Sequence, residues 1–286
     1  MAEKTHPPTG LAWDRRGRFA RIGVSAALLA AKLFPLYYLV MSSLKSQGEF
    51  TVNQLLPPSR GVHFENWTAV WPSLAQPAVN STVISLGTTA LLLLIMAPCA
   101  YVFTWHRFPG KEKLYTFAIT TMMLPSVLTF VPLYVQIRDL GLMDTKWAVI
   151  LPGVAGNIGV SLFLLRAFFT ALPSDLVEAA RMDGAAERQI LSRIILPLSV
   201  PGVMTVAVLT IAGMWNQFLW PLVTLTSSGE RVANVAAAYF SSDPLAQQSP
   251  TLLMSGYLMS AVPLILMLGL LLKYFMAGAA EGSLKG

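Results

Sequence analysis

The sequence contains one cysteine and three histidines in 286 residues, and only 12% of its residues are charged. A single cysteine excludes a disulfide framework, and three scattered histidines beside it give no basis for a structural zinc site. Soluble domains carry about 25% charged residues, so this chain has too little charge to cover a water-facing surface. Because 55% of its residues are apolar, the composition excludes a soluble enzyme and indicates a membrane protein.

Several motifs of enzymes and carriers are also missing. The sequence has neither a G-x-x-x-x-G-K-[ST] phosphate-binding loop nor an H-E-x-x-H zinc motif. The long apolar runs contain no Asp or Glu, which disfavours acid–base catalysis and coupling to protons or sodium ions. The net charge of +6 does not indicate nucleic-acid binding, because the basic residues are not set in a polar face. No cofactor or metal is expected in this chain.

Six apolar runs are long enough for transmembrane helices, which need about 20 residues to cross a core of about 30 Å. The predicted spans are residues 22–44, 82–104, 114–137, 147–165, 198–223 and 251–272. The predicted fold class is all-α, a polytopic integral membrane protein with six transmembrane helices. Asp144 and Thr145 predict an N-cap for the fourth helix. Four prolines predict an extended loop before the second span: Pro57, Pro58, Pro72 and Pro77.

The basic residues predict the orientation. With a cytoplasmic N-terminus, 14 of the 20 lysines and arginines lie in inner segments and 5 in outer ones, as the positive-inside rule requires. We therefore expect both termini in the cytoplasm. Residues 1–21 form an N-terminal segment, 22–276 the six-helix domain and 277–286 a tail. The alternative is a signal peptide after Arg15 and Arg16, but the apolar run continues to Met41 and is too long for one.

Lys32 is the one charged residue inside a predicted span. A charge at that depth costs a few kcal/mol unless it reaches the interface or contacts protein. Lys32 is either a residue of a transport pathway or a lysine at a helix interface or nearer the membrane edge. The second interpretation is favoured.

The segment between the fourth and fifth spans is the longest and most charged of the inner connections. Pro173, Ser174 and Asp175 predict a helix start, with Ser174 as the cap and Asp175 at the positive helix end. Gly184 predicts the end of that helix. A second amphipathic helix is predicted to follow, with four apolar residues on one side: Ile190, Leu191, Ile194 and Ile195. We call residues 173–197 the motif segment.

The motif segment contains the letters EAARMDGAAERQILSRIILP. These fit the pattern E-A-A, three residues, G, nine residues, I-x-L-P. An aspartate stands directly before the glycine, as it usually does in this pattern. The matching residues are Glu178, Ala179, Ala180, Asp183, Gly184, Ile194, Leu196 and Pro197. This resembles the EAA loop of permease subunits of bacterial binding-protein-dependent ABC importers. Most of the chain looks similar to the second permease subunit of maltose-type sugar importers, although the tail departs from that pattern at Glu281 and Ser283.

The resemblance implies a function and a set of partners. The chain would be a non-catalytic permease subunit in the bacterial inner membrane, paired with a second permease, two ATPase subunits and an extracytoplasmic solute-binding protein. ATP and Mg would bind the ATPases and not this chain. The eight motif residues would dock on an ATPase as a helix–turn–helix coupling loop. The solute would be a sugar, oligosaccharide or polyol.

Polar residues on the predicted spans are candidates for the solute pathway, although they can equally hold helices together. The candidates are Asn157, Ser161, Trp215, Asn216, Gln217 and Tyr257. An aromatic-and-amide surface suits a neutral polyhydroxylated solute, and the run from Trp215 to Gln217 is the preferred site. Anchoring at the membrane interface would explain Trp105, Trp147 and Trp220. Gly153, Gly156 and Gly159 fit helix packing and a pore equally well.

Two alternatives remain open. The chain could serve an importer of peptides, amino acids or phosphate esters, because the motif is shared across that superfamily. More distantly, it could be an ATP-independent channel or a membrane enzyme. Ser42 and Lys45 formally match a serine–lysine nucleophile spacing.

Overall fold

The computed structural model describes the backbone of residues 15–283 and the side chains of residues 21–271, and every regular element within these bounds is helical. The tail residues 284–286, and the side chains of Glu281 and Ser283, lie outside the described residues. In chain order the helices are α1 (Arg15–Ser43), α2 (Gln47–Val52), α3 (Glu65–Trp105), α4 (Lys111–Thr120), α5 (Ser126–Asp139), α6 (Trp147–Thr170), α7 (Ser174–Met182), α8 (Glu187–Ile190), α9 (Leu196–Leu198), α10 (Val200–Trp215), α11 (Leu219–Thr224), α12 (Ala233–Ser241), α13 (Pro244–Gln247) and α14 (Pro250–Ser283).

Four helical stretches of the described chain are long and apolar enough to cross a membrane on their own: Arg21–Ser43, Glu65–Trp105, Trp147–Thr170 and Pro250–Leu271. Two further spans are possible only if each of two bent helix pairs crosses as a unit. Length and composition therefore support four spans, or up to six, and the number six remains a prediction.

Of the two bent pairs, only the first replaces a helix that the sequence predicts as a single span. α4 and α5 meet at 97°, and the α8–α9 helix meets α10 at 78°. The first bend lies at Leu124, whose extended backbone is imposed by Pro125, because a residue before proline avoids the helical region. The second lies at Ser199, between Pro197 and Pro201, where the predicted amphipathic helix gives way to the predicted fifth span. The predicted unbroken helix over 114–137 is therefore wrong, and the one over 198–223 is interrupted at residues 216–218, between α10 and α11.

Helix α3 is longer than its predicted span. Its 41 residues correspond to about 61 Å at 1.5 Å per residue, about twice the bilayer core. The extended loop predicted through Pro72 and Pro77 is wrong, since both prolines lie inside this helix. The tertiary contacts account for this, because Val70 and Leu74 are buried against α12 and α14 and stabilise the turns that the prolines weaken.

The core lies among α3, α6, α10 and α14, and it continues into the motif segment. Leu92, Leu165 and Phe169 are fully buried, and Ile190 and Ile195 of the motif segment belong to the same buried cluster. The motif segment therefore packs as part of the bundle, at the end we call the motif end. The opposite end, which holds residues 44–63 and 225–232, is the far end.

Helix α1 lies outside this core. The apolar stretch of α1 is not buried within the chain, although Ser255 on α14 donates a hydrogen bond to the carbonyl of Ser43 at 3.2 Å. Lys32 is exposed on α1. The described part of the chain therefore offers Lys32 no helix interface, and its role remains a prediction.

Asp144 joins two far-end loops and does not cap α6. Its carboxylate accepts hydrogen bonds from the backbone N–H of Ser227 at 2.9 Å and from the hydroxyl of Thr226 at 3.0 Å. The N-cap of α6 is Lys146, without a side-chain cap, so the predicted capping by Asp144 and Thr145 is wrong. The backbone of Asp144 has a φ of 60°, in a region that Asp tolerates better than most residues, and this turns the carboxylate away from the helix start.

We expect Asp144→Ala to lower the free energy of unfolding by about 1–2 kcal/mol, because the hydrogen bonds that join the far-end loops to a charged group are lost. Hydrogen bonds lower the pKa of Asp144, and the largest effect comes from the backbone N–H of Ser227. The stabilisation is therefore present above the pKa of an unfolded aspartate, about 3.9, and disappears as the pH falls through the lower folded value. The melting temperatures of the unmodified chain and Asp144→Ala should converge as the pH falls through that window. Asp139→Ala is the control, because the carboxylate of Asp139 pairs with its sequence neighbour Arg138. Equal melting temperatures of Asp144→Ala and Asp139→Ala at neutral pH would contradict the prediction.

Candidate functional site

The motif segment consists of two helical parts around a glycine turn. α7 runs from Ser174 to Met182, and Gly184 then adopts a φ of 76°, a conformation that glycine takes at little cost. α8 begins at Glu187 and continues as a π turn over Leu191–Ile195. The predicted cap is wrong, because Pro173 occupies the cap position and the hydroxyl of Ser174 donates to Asp175.

The two faces of the motif segment differ in burial. Val177, Ala180, Ile190 and Ile195 are buried against the bundle. The exposed motif residues are Glu178, Ala179, Asp183, Gly184 and Pro197, while Ile194 and Leu196 are half-buried. One side of the motif segment is therefore anchored, and the other is available to a partner.

Glu178 lies in the middle of the exposed face. Among the described residues it has no hydrogen-bond or ion-pair partner. The adjacent Ala179 lets another backbone approach closely, and an unpaired carboxylate can form a charge-assisted hydrogen bond with an arginine. This face therefore suits the docking of a second protein.

A cavity of about 650 Å³ lies beside the bend between α4 and α5. It is lined by Ser126, Val127, Thr129, Phe130, Val131, Leu133, Pro152, Gly153, Gly156, Asn157, Gln217, Phe218, Leu219 and Trp220. Two predicted pathway residues, Asn157 and Gln217, thus meet at one cavity, although 60 residues separate them in the sequence. We call it the α5–α6 cavity.

The aromatic and amide groups of the α5–α6 cavity are held in place by local contacts. The indole N–H of Trp220 donates to the carbonyl of Ala148 at 2.8 Å, and Phe130 packs edge-on against its ring with centroids 5.3 Å apart. The amide of Asn157 donates to the carbonyl of Gly153 at 2.7 Å. The lining contains no charged side chain, so the cavity suits a neutral molecule with hydroxyl groups better than an ion.

The other predicted pathway residues do not line this cavity. Ser161 and Trp215 are buried at 1% and 3% exposure, and the carbonyl of Trp215 accepts a hydrogen bond from Asn234. Asn216 is exposed outside the lining, and Tyr257 lies on α14 at 42% exposure. Trp215 therefore packs within the bundle and offers no stacking surface to a solute in this cavity.

Sequence reasoning missed Phe130 and Trp220 as cavity residues. Trp220 was explained by anchoring at the membrane interface, but its ring lies in the cavity wall. The cavity exists because α5 turns away from α4 at Pro125. Proline at 125 was the available signal, and its consequence depended on how α6 packs against both parts.

The glycines of α6 serve both packing and the cavity. A Cβ on Gly159 would lie 2.6 Å from the backbone oxygen of Ala118, so this glycine permits the close approach of α4. A Cβ on Gly156 would meet nothing within 4 Å, and Gly156 lines the cavity. The packing interpretation thus applies to Gly159 and the cavity interpretation to Gly156, while Gly153 fits both, because it lines the cavity and a Cβ there would lie 2.6 Å from the side chain of Met214.

The serine–lysine spacing does not form a nucleophile. Ser42 and Lys45 are both fully buried, and the ammonium of Lys45 donates to the carbonyls of Asn53 at 2.8 Å and Gln54 at 3.2 Å. Burial lowers the pKa of Lys45. The lysine holds the far-end loop through these two carbonyls, so the Ser42 and Lys45 spacing has a structural role.

The chain matches curated permeases over most of its length. It is 29% identical over 272 residues to the diacetylchitobiose uptake system permease protein NgcG of Streptomyces coelicolor, covering 94% of this chain and 90% of that protein. It is 30% identical over 256 residues to the trehalose transport system permease protein SugB of Mycobacterium tuberculosis, covering 89% and 93%. A probable ABC transporter permease protein of Bacillus subtilis, YurM, is 32% identical over 259 residues, covering 90% and 85%.

The fold also matches a solved structure. A chain in the crystal structure of a bacterial ABC transporter involved in the import of the acidic polysaccharide alginate superposes with a TM-score of 0.80 at 22% identity, covering 96% of this chain and 100% of that one. A family model described as binding-protein-dependent transport system inner membrane component matches residues 94–281, more than half of the chain. These matches confirm the resemblance found in the motif segment, and the chain belongs to the binding-protein-dependent transport system inner membrane component family.

Proposed function

We propose that this chain is a permease subunit of an ATP-driven, binding-protein-dependent importer of a sugar, oligosaccharide or polyol. The observation that carries the proposal is the two-sided motif segment, with Ile190 and Ile195 in the core of the bundle and Glu178 exposed and unpartnered within the described residues. Such a segment can receive a push from a separate protein and pass it to the helices. Its relatives with named solutes include permeases for diacetylchitobiose and trehalose.

The proposed arrangement in the membrane has six spans and two cytoplasmic termini. Each bent helix pair would count as one span, and the excess of basic residues at the motif end would face the cytoplasm. The far end, with the loops around Asp144 and Lys45, would then face the solute-binding protein. The half of α3 that exceeds the bilayer thickness would extend on that side.

The proposed partners are a second permease, two ATPase subunits that bind ATP and Mg, and a solute-binding protein. Closure of the ATPase dimer on ATP would move the docked motif segment. Because a packed segment moves as a rigid body, the bundle would switch from inward-open to outward-open and accept solute from the binding protein. Hydrolysis would reset it. The exposed carboxylate of Glu178 is the proposed docking contact, and Gly184 sets the turn that presents it.

The α5–α6 cavity supports a neutral solute. Aromatic rings stack on the C–H faces of sugars, and the amides of Asn157 and Gln217 can bond to hydroxyl groups. An importer of peptides, amino acids or phosphate esters is the second candidate, since the motif alone does not distinguish solutes. A cationic or anionic side chain in the lining would favour that candidate, and the lining has none.

The test is ATP hydrolysis by the assembled complex. The chain is co-expressed with a second permease, an ATPase and a binding protein from the same genome and reconstituted in nanodiscs. We expect a stable complex whose hydrolysis rises several-fold with the binding protein plus a neutral disaccharide from a panel that includes trehalose and diacetylchitobiose. Stimulation only by a dipeptide or a sugar phosphate would overturn the sugar assignment. No complex, or no stimulation by any solute, would overturn the importer.

A further inference from the structure

A second glutamate of the motif segment, Glu187, differs from Glu178 in having hydrogen-bond partners, and these join three helices. Its carboxylate accepts a hydrogen bond from the hydroxyl of Tyr101 on α3 at 2.5 Å. It also accepts from the guanidinium of Arg181 on α7, at 2.9 Å to Oε1 and 3.3 Å to Oε2. The Nε2 atom of His106, just past the end of α3, lies 3.6 Å from Oε2. We call these four residues the α3 latch.

The members of the α3 latch differ in burial. Tyr101 is only 3% exposed, and its ring packs edge-on against His106 with centroids 5.6 Å apart. The side chains of Arg181 and Glu187 are 37% and 46% exposed. An exposed ion pair contributes little stability alone. Here the carboxylate of Glu187 also accepts a hydrogen bond from Tyr101, whose ring is buried in the core. The hydrogen bonds with Glu187 raise the pKa of Arg181.

The α3 latch spans the turn at Gly184, where α7 and α8 of the motif segment meet. Arg181 precedes the turn at Gly184 and Glu187 follows it, so their pair closes the turn from both sides. A Cβ at Gly184 would meet nothing within 4 Å, so no atom packs on that side of the glycine. Without the ion pair, the angle between α7 and α8 would depend on the backbone hydrogen bonds of the turn and on the packing of Val177 and Ala180.

We propose that Tyr101 and Glu187 are positioning residues that stiffen the Gly184 turn and join the motif segment to α3. The proposal rests on the proposed coupling function. A push on the exposed face of α7 then reaches α3 through Arg181, Glu187 and Tyr101, in addition to the core contacts of Ile190 and Ile195. Glu187 lies outside the eight motif positions, so its role comes from the tertiary contacts alone.

The test combines a structural and a functional measurement on Tyr101→Phe, which removes one hydroxyl and keeps the buried ring. Hydrogen exchange in the purified chain reports the mobility of residues 183–190. We expect exchange there to be about fivefold faster, the factor that one net hydrogen bond supplies. In the assembled complex, we expect normal binding of the ATPase and about fivefold less solute moved per ATP hydrolysed.

Two comparisons separate a latch from a general loss of packing. Glu187→Ala should show at least the effects of Tyr101→Phe, because it also removes the pair with Arg181. The double variant should behave like Glu187→Ala alone, since Tyr101 then has no acceptor left to lose. Glu112→Gln is the control: Glu112 pairs with Arg166 at 3.0 Å with 69% of its side chain exposed, and the change should leave both measurements as in the unmodified chain.

Three outcomes would overturn the latch. They are unchanged hydrogen exchange in Tyr101→Phe, unchanged solute transport per ATP in a working complex, and additive losses in the double variant. A complex that shows no solute-dependent hydrolysis with the unmodified chain refutes the proposed function instead, and hydrogen exchange still decides whether Tyr101 and Glu187 restrain the turn.

Discussion

Glu178→Lys is expected to reduce solute uptake to background while the protein still inserts and accumulates normally. Glu178 is exposed and has no partner within the described residues, so its loss leaves no buried group unpaired and should not affect folding. On the proposed ATPase face, a lysine would set like charges together where a carboxylate would bind an arginine. Uptake of labelled solute by cells, with the membrane content of the chain measured by immunoblot, tests this.

The controls for Glu178→Lys separate docking from charge. Glu112→Lys makes the same charge change at the motif end but outside the motif segment, and it should leave most uptake intact, since an exposed ion pair is worth about 0–1 kcal/mol. Gly184→Asp should resemble Glu178→Lys, because it adds a second carboxylate beside Asp183 on the exposed face and some strain at a φ of 76°, although Asp tolerates this region better than most residues. Normal import by both Glu178→Lys and Gly184→Asp would refute the coupling role.

Phenylalanine at Gly159 and at Gly156 is expected to fail in two different ways, although the positions are three residues apart on α6. At Gly159 the new Cβ would lie 2.6 Å from the Ala118 backbone oxygen, which cannot rotate away, so we expect destabilisation of about 3 kcal/mol or more. At Gly156 there is open space, so the chain should fold normally. The ring would occupy the α5–α6 cavity, and uptake should fall about tenfold or more, as when about 1.4 kcal/mol of solute binding is lost.

Thermal unfolding in detergent and uptake in cells distinguish the two glycine variants. Gly156→Ala is the matched control, because it adds only a methyl group and removes the helix penalty of glycine, about 1 kcal/mol. It should melt at or above the temperature of the unmodified chain and retain uptake. Full uptake by Gly156→Phe would place the solute pathway elsewhere.

Some features of the fold could be predicted from the sequence because they depend on local chemistry. The apolar runs around α1, α6 and α14 gave helices long enough to cross a membrane. Gly184 ended α7 as predicted, because left-handed backbone favours glycine regardless of surroundings. The motif gave the family, which the matches over residues 94–281 confirm. Asn157 and Gln217 were chosen as uncharged polar residues on apolar helices, and both line the cavity.

Two of the failures have a common cause, since they depended on contacts between distant residues. Pro72 and Pro77 predict a loop by local rules, but burial of Val70 and Leu74 keeps that part of α3 helical. Trp215 was preferred as a solute contact, yet it is buried and Trp220 lines the cavity. A sequence pattern gives the spacing of side chains along one helix and not the helix that packs beside it.

The sequence by itself determined the apolar segments and the motif segment, because hydropathy and turn chemistry act over a few residues, and the orientation that the basic residues indicate stays a prediction. Only the tertiary structure decided the cavity beside the bend at Leu124 and the different surroundings of Glu178 and Glu187. Those features arise where helices distant in sequence meet. The free energy of packing and of hydrogen bonding between them outweighs the local preference of either helix.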